Sequence, residues 1–188
     1  MGKRKVKKKN TRVIVALAFI FIVGILLTSF IYKPSNNQNY PVVAEVNKPA
    51  PDFTIYLIDG KKTKLSNFFG KQILLWFVAT WCVSCQVGAK ILSNYYSLLH
   101  SKGVVILTIL LYNNMGIQGP SLEEFAMKFA GGFKPDWLYG ETDESTMRIY
   151  NPNNFLDIFY FISKNGIIVY KGVVMSEDKL NYILSLVD

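Results

Sequence analysis

The sequence has few of the residues that bind metals or form structural disulfides. Its 188 residues include two cysteines and one histidine, His100. A structural zinc site needs four ligands, usually cysteine or histidine, and these three residues cannot supply them. A disulfide-rich secreted fold is excluded for the same reason. We therefore predict no metal site and no organic cofactor, so that any special chemistry depends on Cys82 and Cys85.

Positive charge is concentrated at the N-terminus. The net charge is +8, and residues 1–12 hold 7 of the 21 lysines and arginines. The rest of the chain has 14 basic against 13 acidic residues and is almost neutral. This local placement argues against a nucleic-acid partner. We expect residues 1–12 to form a cytoplasmic tail that contacts anionic lipid headgroups.

Residues 13–31 form a long hydrophobic run without a charged residue. As a helix they would span roughly 28 Å, about the thickness of the hydrocarbon core of a membrane. They lack the small-residue cleavage site of a signal peptide and the polar face of a core helix. We predict an uncleaved single-pass transmembrane anchor, with the N-terminus cytoplasmic and the folded domain extracytoplasmic. Residues 32–48 are polar and are predicted to be a linker.

Residues 49–188 alternate between strand and helix patterns. The apolar runs 73–79 and 104–111 are typical of strands that are buried on both faces. Helices are predicted over residues 82–100, 121–130, 144–150 and 176–187, and hairpin turns at Asp59-Gly60 and Asn165-Gly166. This order predicts one α/β domain with a central mixed β-sheet flanked by helices.

The two cysteines lie where a predicted strand meets a predicted helix, in the segment Trp81-Cys82-Val83-Ser84-Cys85. A cysteine at a helix N-terminus faces unpaired amides and the positive end of the helix dipole, which favours its thiolate. Two intervening residues allow the sulfurs to form a reversible disulfide, in which Cys82 would attack substrate and Cys85 would resolve the mixed disulfide. A structural disulfide is the alternative, but so small a loop would stabilise the fold little. Trp81, Val83 and Ser84 are expected beside the sulfurs.

Several short motifs occur in register along residues 46–188. They are Pro49–Thr54, Asp59–Lys61, Leu65–Phe68, Gly70-Lys71, Ala79–Cys82 and Tyr160–Ile168. In these motifs the chain resembles the membrane-anchored thioredoxin-like proteins of the TlpA/ResA type. The resemblance implies a thioredoxin-like fold outside the cytoplasmic membrane and thiol-disulfide exchange with exported protein thiols, such as those of apocytochrome c. It also implies a membrane electron donor, and it assigns the attacking thiol to Cys82 and the resolving thiol to Cys85.

Several positions near the motif differ from that family. Val83-Ser84 lacks the proline that is usual between the cysteines. Gly88 and Lys90 stand where an acidic residue and a proline are common, and Trp76 stands where a buried polar residue is expected. Because the residues between the cysteines help to set the redox potential, the direction of exchange is not predicted.

Asp157 stands where the family has a cis-proline. A cis bond before a residue other than proline costs about 2.5–4 kcal/mol, so we predict a trans peptide here. If Asp157 lies near the sulfurs, its carboxylate could accept the Cys85 proton and would also raise the thiol pKa values by repulsion. The alternative is an exposed loop aspartate without a catalytic role.

Together these features predict a membrane-tethered thiol-disulfide oxidoreductase that exchanges disulfides with exported proteins through Cys82 and Cys85. The alternative is a non-catalytic thioredoxin-like module that binds a partner protein or Cu(I) through the dithiol. The absence of the cis-proline favours the alternative, whereas the Trp-Cys-x-x-Cys motif at a strand–helix junction favours the enzyme.

Overall fold

The computed structural model describes residues 42–187. The predicted tail, the predicted anchor and most of the predicted linker lie outside these residues. Within 42–187, no helix is long and apolar enough to span a membrane.

The described residues form seven strands and four α-helices. The strands are β1 (Thr54–Leu57), β2 (Lys62–Lys64), β3 (Ile73–Val78), β4 (Val105–Leu110), β5 (Trp137–Glu141), β6 (Asp157–Ile162) and β7 (Ile168–Val173). The helices are α1 (Val83–Ser101), α2 (Leu122–Phe129), α3 (Glu144–Tyr150) and α4 (Glu177–Ser185). Short 3₁₀ turns cover Leu65–Phe68 and Tyr112–Gly116. The α/β class and the predicted order of elements are confirmed.

The strands form one mixed sheet in the order β2-β1-β5-β4-β3-β6-β7. The three central strands β3, β4 and β5 run parallel, while β6 pairs antiparallel with β3 and β7 with β6. On the other side, β1 pairs antiparallel with β5 and β2 with β1. All six residues of β3 are buried, as expected for a continuous apolar run in the middle of a sheet.

The hydrogen bonds at the start of α2 illustrate how the sequence determines a helix boundary. Ser121 Oγ accepts a hydrogen bond from the Glu124 amide at 3.1 Å, and the Glu124 carboxylate accepts one from the Ser121 amide at 2.9 Å. This capping box satisfies two amides that the helix itself leaves unpaired. The prediction that this helix begins after Ser121 is confirmed.

The sheet brings two distant segments to one edge. β3 ends at Val78, and β6 begins at Asp157, which pairs with Val78 in the antiparallel register. A short connection follows β3, in which the Cys82 amide donates to the Ala79 carbonyl at 3.1 Å, and α1 then begins at Val83. Residues near 80 and near 157 are therefore neighbours at the carboxyl end of β3.

Candidate active site

The two cysteines occupy the first turn of α1. Cys82 is the N-cap residue of this helix and Cys85 lies within its first turn. Both are free thiols, with Cys82 7% exposed and Cys85 fully buried. The predicted placement at a strand–helix junction is confirmed. Because Cys82 is the more accessible sulfur, it is the one that an external disulfide reaches first.

The two residues between the cysteines differ in what they do. The Val83 side chain faces solvent, with 72% of the residue exposed. The Ser84 hydroxyl lies 3.1 Å from the Cys82 sulfur, within hydrogen-bonding distance. Ser84 thus contacts the reactive sulfur directly, while Val83 contributes an apolar surface next to it.

Cys85 is held in a buried, polar contact behind Cys82. Its Sγ donates a hydrogen bond to the Leu156 carbonyl at 3.0 Å. Burial raises the pKa of the Cys85 thiol, and the Asp157 carboxylate and the Cys82 sulfur raise this pKa further. The resting state of Cys85 is therefore the thiol, and a proton must leave before this sulfur can act as a nucleophile.

Asp157 is a buried carboxylate next to this thiol. It is only 3% exposed, and its Oδ1 accepts a 2.7 Å hydrogen bond from the Trp76 indole. Its Oδ2 accepts a longer one, 3.3 Å, from the Met175 amide. Burial raises the pKa of Asp157, and this exceeds the lowering that these two hydrogen bonds provide. The Ser84 hydroxyl and the positive charge of Lys179 also lower the pKa of Asp157.

The suggestion that Asp157 is an exposed loop residue is wrong. Asp157 is the first residue of β6, and pairing with Val78 places it inside the sheet rather than in the preceding loop. The hypothesis that Asp157 lies near the sulfurs is supported by the hydrogen bond from Cys85 Sγ to the carbonyl of Leu156, the residue that directly precedes Asp157. The peptide before Asp157 is trans, as predicted, and no peptide bond within residues 42–187 is cis.

The Trp76 indole packs against α1 at Gly88, where the helix has no side chain. A Cβ atom built on Gly88 would lie 2.9 Å from Met175 Cβ and 3.2 Å from the Trp76 ring. Only glycine therefore leaves room for the indole at this point of α1. Trp76 in turn provides the N–H that Asp157 accepts. The unusual residues at positions 76, 88 and 157 thus form one connected arrangement and are not three independent differences from the family.

Asn114 is a site residue that the sequence analysis missed. Its backbone carbonyl accepts a hydrogen bond from the Trp81 indole at 2.8 Å, and its side chain bonds to Thr80. Trp81 is therefore fixed beside Cys82 by the loop that follows β4. The Asn113-Asn114 pair is a turn signal in the sequence, but nothing in it indicates which segment the turn contacts.

No group of three or more histidine, cysteine, aspartate or glutamate side chains within residues 42–187 is arranged to hold a metal ion. The reactive groups at this edge of the sheet are the two thiols and the Asp157 carboxyl. Such a set can form and break a disulfide and can move a proton.

Comparison with known proteins identifies the family. Residues 45–184 match the family model described as Redoxin. The thiol-disulfide oxidoreductase ResA of Geobacillus kaustophilus is 26% identical over 181 residues, which cover 95% of this chain and 98% of that protein. ResA of Bacillus thuringiensis subsp. konkukian is 31% identical over 105 residues, or 54% of this chain and 57% of that protein.

The fold is also found among solved structures. A thioredoxin-like protein from Aeropyrum pernix superimposes with a TM-score of 0.58 at 25% identity, over 72% of this chain and 89% of that one. The chain therefore belongs to the redoxin family and, within it, to the thioredoxin-like thiol-disulfide oxidoreductases.

Proposed function

We propose that this oxidoreductase is tethered to the cell membrane and exchanges disulfides with exported proteins through Cys82 and Cys85. The observation that carries the proposal is the difference between the two thiols. Cys82 lies at a helix N-terminus and keeps 7% exposure, while Cys85 is fully buried with a raised pKa. This asymmetry is what a two-step exchange requires, because one sulfur must meet the substrate and the other must act only afterwards.

In the first step the Cys82 thiolate attacks a substrate disulfide. A bond forms between Cys82 Sγ and one substrate sulfur, and the other substrate sulfur leaves as a thiolate that takes up a proton from water. In the second step the Cys85 thiolate attacks Cys82 Sγ. The Cys82–Cys85 disulfide forms, the mixed disulfide breaks, and the substrate leaves fully reduced. The reverse sequence oxidises a substrate dithiol.

Asp157 accepts the proton that Cys85 loses in the second step. The site is buried, so that a thiolate at Cys85 and a carboxylate at Asp157 repel each other strongly. Transfer of the proton from one to the other keeps a single negative charge in the site. A carboxyl whose pKa is raised is better matched to this task than an exposed one.

Membrane attachment is inferred from the N-terminal sequence. Residues 13–31 are uncharged, and the seven basic residues before them favour a cytoplasmic N-terminus. The domain from residue 49 onward would then face exported substrates, with residues 32–48 as a tether. A membrane electron donor would return the Cys82–Cys85 disulfide to the dithiol after each turnover, because the redoxin domain carries no other redox group in its sequence.

Selective labelling tests this arrangement. In cells expressing Lys102→Cys with both native cysteines changed to serine, a membrane-impermeant maleimide should label exposed position 102 from the outside. A second variant, Asn10→Cys with both native cysteines changed to serine, should be labelled only after lysis. Both proteins should stay in the membrane fraction at alkaline pH. Labelling of position 102 only after lysis would contradict the proposed location, without bearing on the exchange chemistry.

A further inference from the structure

The loop between β4 and α2 forms hydrogen bonds to the segment before Cys82 through Asn114. Its side-chain oxygen accepts a hydrogen bond from the Thr80 amide, and its side-chain nitrogen donates to the Thr80 hydroxyl, both at 3.0 Å. Its backbone carbonyl accepts the Trp81 indole N–H at 2.8 Å. A single residue thus binds both residues that immediately precede the attacking cysteine.

Thr80 is held from two sides. It is fully buried, and its carbonyl accepts a hydrogen bond from the Gln86 side chain of α1 at 3.0 Å. Together with the two bonds from Asn114, this satisfies the amide, the hydroxyl and the carbonyl of Thr80. A buried polar group that loses its partner is costly, so the segment has one favoured position between the loop and the helix.

The loop adopts an unfavourable backbone conformation in order to make these contacts. Asn113, Asn114 and Met115 are consecutive left-handed residues, with φ values of 49°, 48° and 59°. None of them is glycine, and such residues persist only where the surrounding structure enforces the conformation. The strain lies in the segment that fixes Trp81, which places it at the site rather than in a remote turn.

The loop also returns close to the same segment. A Cβ atom on Gly119 would lie 2.7 Å from the Thr80 hydroxyl oxygen and 3.0 Å from the Trp81 amide. The backbone of Gly119 therefore packs directly on the residues that Asn114 binds. Asn114 and Gly119, five residues apart in the loop, therefore both contact the dipeptide Thr80-Trp81.

We propose that Asn114 is a positioning residue for disulfide exchange, whose side chain holds the Thr80 peptide and thereby keeps the Trp81 indole in place beside Cys82. The inference rests on the proposed function. Thiol-disulfide exchange needs the attacking sulfur aligned with the S–S bond that it breaks, and small displacements of a positioning group reduce such rates markedly. Asn114 touches neither sulfur. Because Asn114 fixes the Thr80 peptide and the Trp81 ring, it determines the direction from which a substrate disulfide approaches Cys82.

Asn114→Gly tests the proposal, with Asn113→Gly as its matched control. Both residues have a left-handed backbone conformation, which glycine adopts without a steric penalty, so neither substitution adds strain to the loop. Asn113 is exposed, whereas Asn114→Gly removes both side-chain bonds to Thr80. With the full chain and insulin as the disulfide substrate, we expect Asn114→Gly to slow exchange about tenfold. We expect Asn113→Gly to match the wild type.

Acrylamide quenching of tryptophan fluorescence provides a readout that is independent of activity. Trp76 and Trp137 are 0% and 2% exposed, whereas Trp81 is half-buried and is therefore the residue that acrylamide reaches. Quenching should increase in Asn114→Gly and stay unchanged in Asn113→Gly. Equal rates and equal quenching in the two variants would overturn the proposal. A wild-type chain that does not exchange with insulin would instead remove the proposed function, whatever the quenching shows.

Trp81→Phe gives a second test in case Asn114→Gly folds poorly. This change removes the indole N–H that Asn114 accepts but keeps an aromatic ring. If Asn114 acts through Trp81, the double variant should lose much less than the product of the two single effects. Fully multiplicative effects would show that Asn114 acts independently of Trp81 and would contradict the proposal.

Discussion

Replacing Cys85 with serine should trap substrates on Cys82 as stable mixed disulfides. The variant keeps the attacking sulfur at the helix N-terminus but lacks the fully buried sulfur that would resolve the intermediate. Turnover should fall to background, and a covalent adduct should accumulate because its only exit is attack by external thiols. Non-reducing electrophoresis and mass spectrometry of adducts from the full chain would measure the trapped fraction.

Cys82→Ser is the matched control for this experiment. It removes the sulfur at the helix N-terminus and leaves the buried Cys85 thiol bonded to the Leu156 carbonyl. We expect no adduct and no turnover, because Cys85 is inaccessible and is held as the thiol. If Cys82→Ser accumulated as much adduct as Cys85→Ser, the roles assigned to the two sulfurs would be wrong.

Asp157→Asn should slow the second step of exchange about 100-fold while leaving the first step nearly unchanged. The amide has the shape of the carboxyl and can still accept the Trp76 hydrogen bond, but it cannot take up a proton. Loss of a positioned general base typically costs a factor of about 10² to 10⁴. Removing the charge also eases ionisation of Cys85, but burial is the larger cause of its raised pKa and remains in the variant.

Rapid-mixing measurements with a chromogenic aromatic disulfide separate the two steps, because each releases one coloured thiolate. We expect a normal first release and a delayed second release in Asp157→Asn. Asp59→Asn, at an exposed turn carboxylate, is the control and should behave as the wild type. Equal second-step rates in all three proteins would show that Asp157 does not accept the proton.

The same variant should gain stability relative to the wild type as the pH rises from acid to neutral. Because folding raises the pKa of Asp157 above its ordinary value of 3.8, the folded state favours the protonated form. The stabilising contribution of that form is complete below the ordinary pKa and is lost as the pH rises through the folded-state pKa. Asp157→Asn lacks an acceptor for the Met175 amide at any pH, but it escapes this loss. Its free energy of unfolding relative to the wild type should therefore rise on the order of 1 kcal/mol between low pH and pH 7, which urea denaturation of both proteins would measure.

Local patterns in the sequence determine most of the fold. The apolar run of β3 and the start of α2 at Ser121 both depend on neighbouring residues, and both are found where they were expected. The cysteine pair also follows from local order, because a strand that ends at Val78 and a helix that begins at Val83 leave it at the junction. Such features are readable because their causes lie within a few residues of one another.

The burial and the hydrogen bonds of Asp157 could not be predicted from local sequence patterns. Its burial depends on the register between β3 and β6, which pairs Asp157 with a residue far away in the chain, Val78. Its hydrogen-bond donor, Trp76, fits only because Gly88 leaves space on α1. Each residue taken alone departs from the family pattern, and the compensation between them is visible only in three dimensions.

The contacts of Asn114 are hidden for a related reason. The loop that follows β4 contains turn-forming residues, which indicate a change of direction but not its target. Its three hydrogen bonds reach Thr80 and Trp81, more than thirty residues earlier in the chain. Loop contacts of this kind depend on the assembled sheet and leave no periodic pattern in the sequence.

A redox titration of the full chain tests the central claim most directly. The protein would be equilibrated in glutathione or dithiothreitol buffers, and the fraction of Cys82–Cys85 disulfide measured after acid quenching. We predict a reversible two-electron transition; a midpoint near roughly −270 mV would indicate a reductant and one near roughly −120 mV an oxidant. A pair that stays in one state across the accessible range would contradict disulfide exchange and would favour a module that binds a partner or Cu(I) through its thiols.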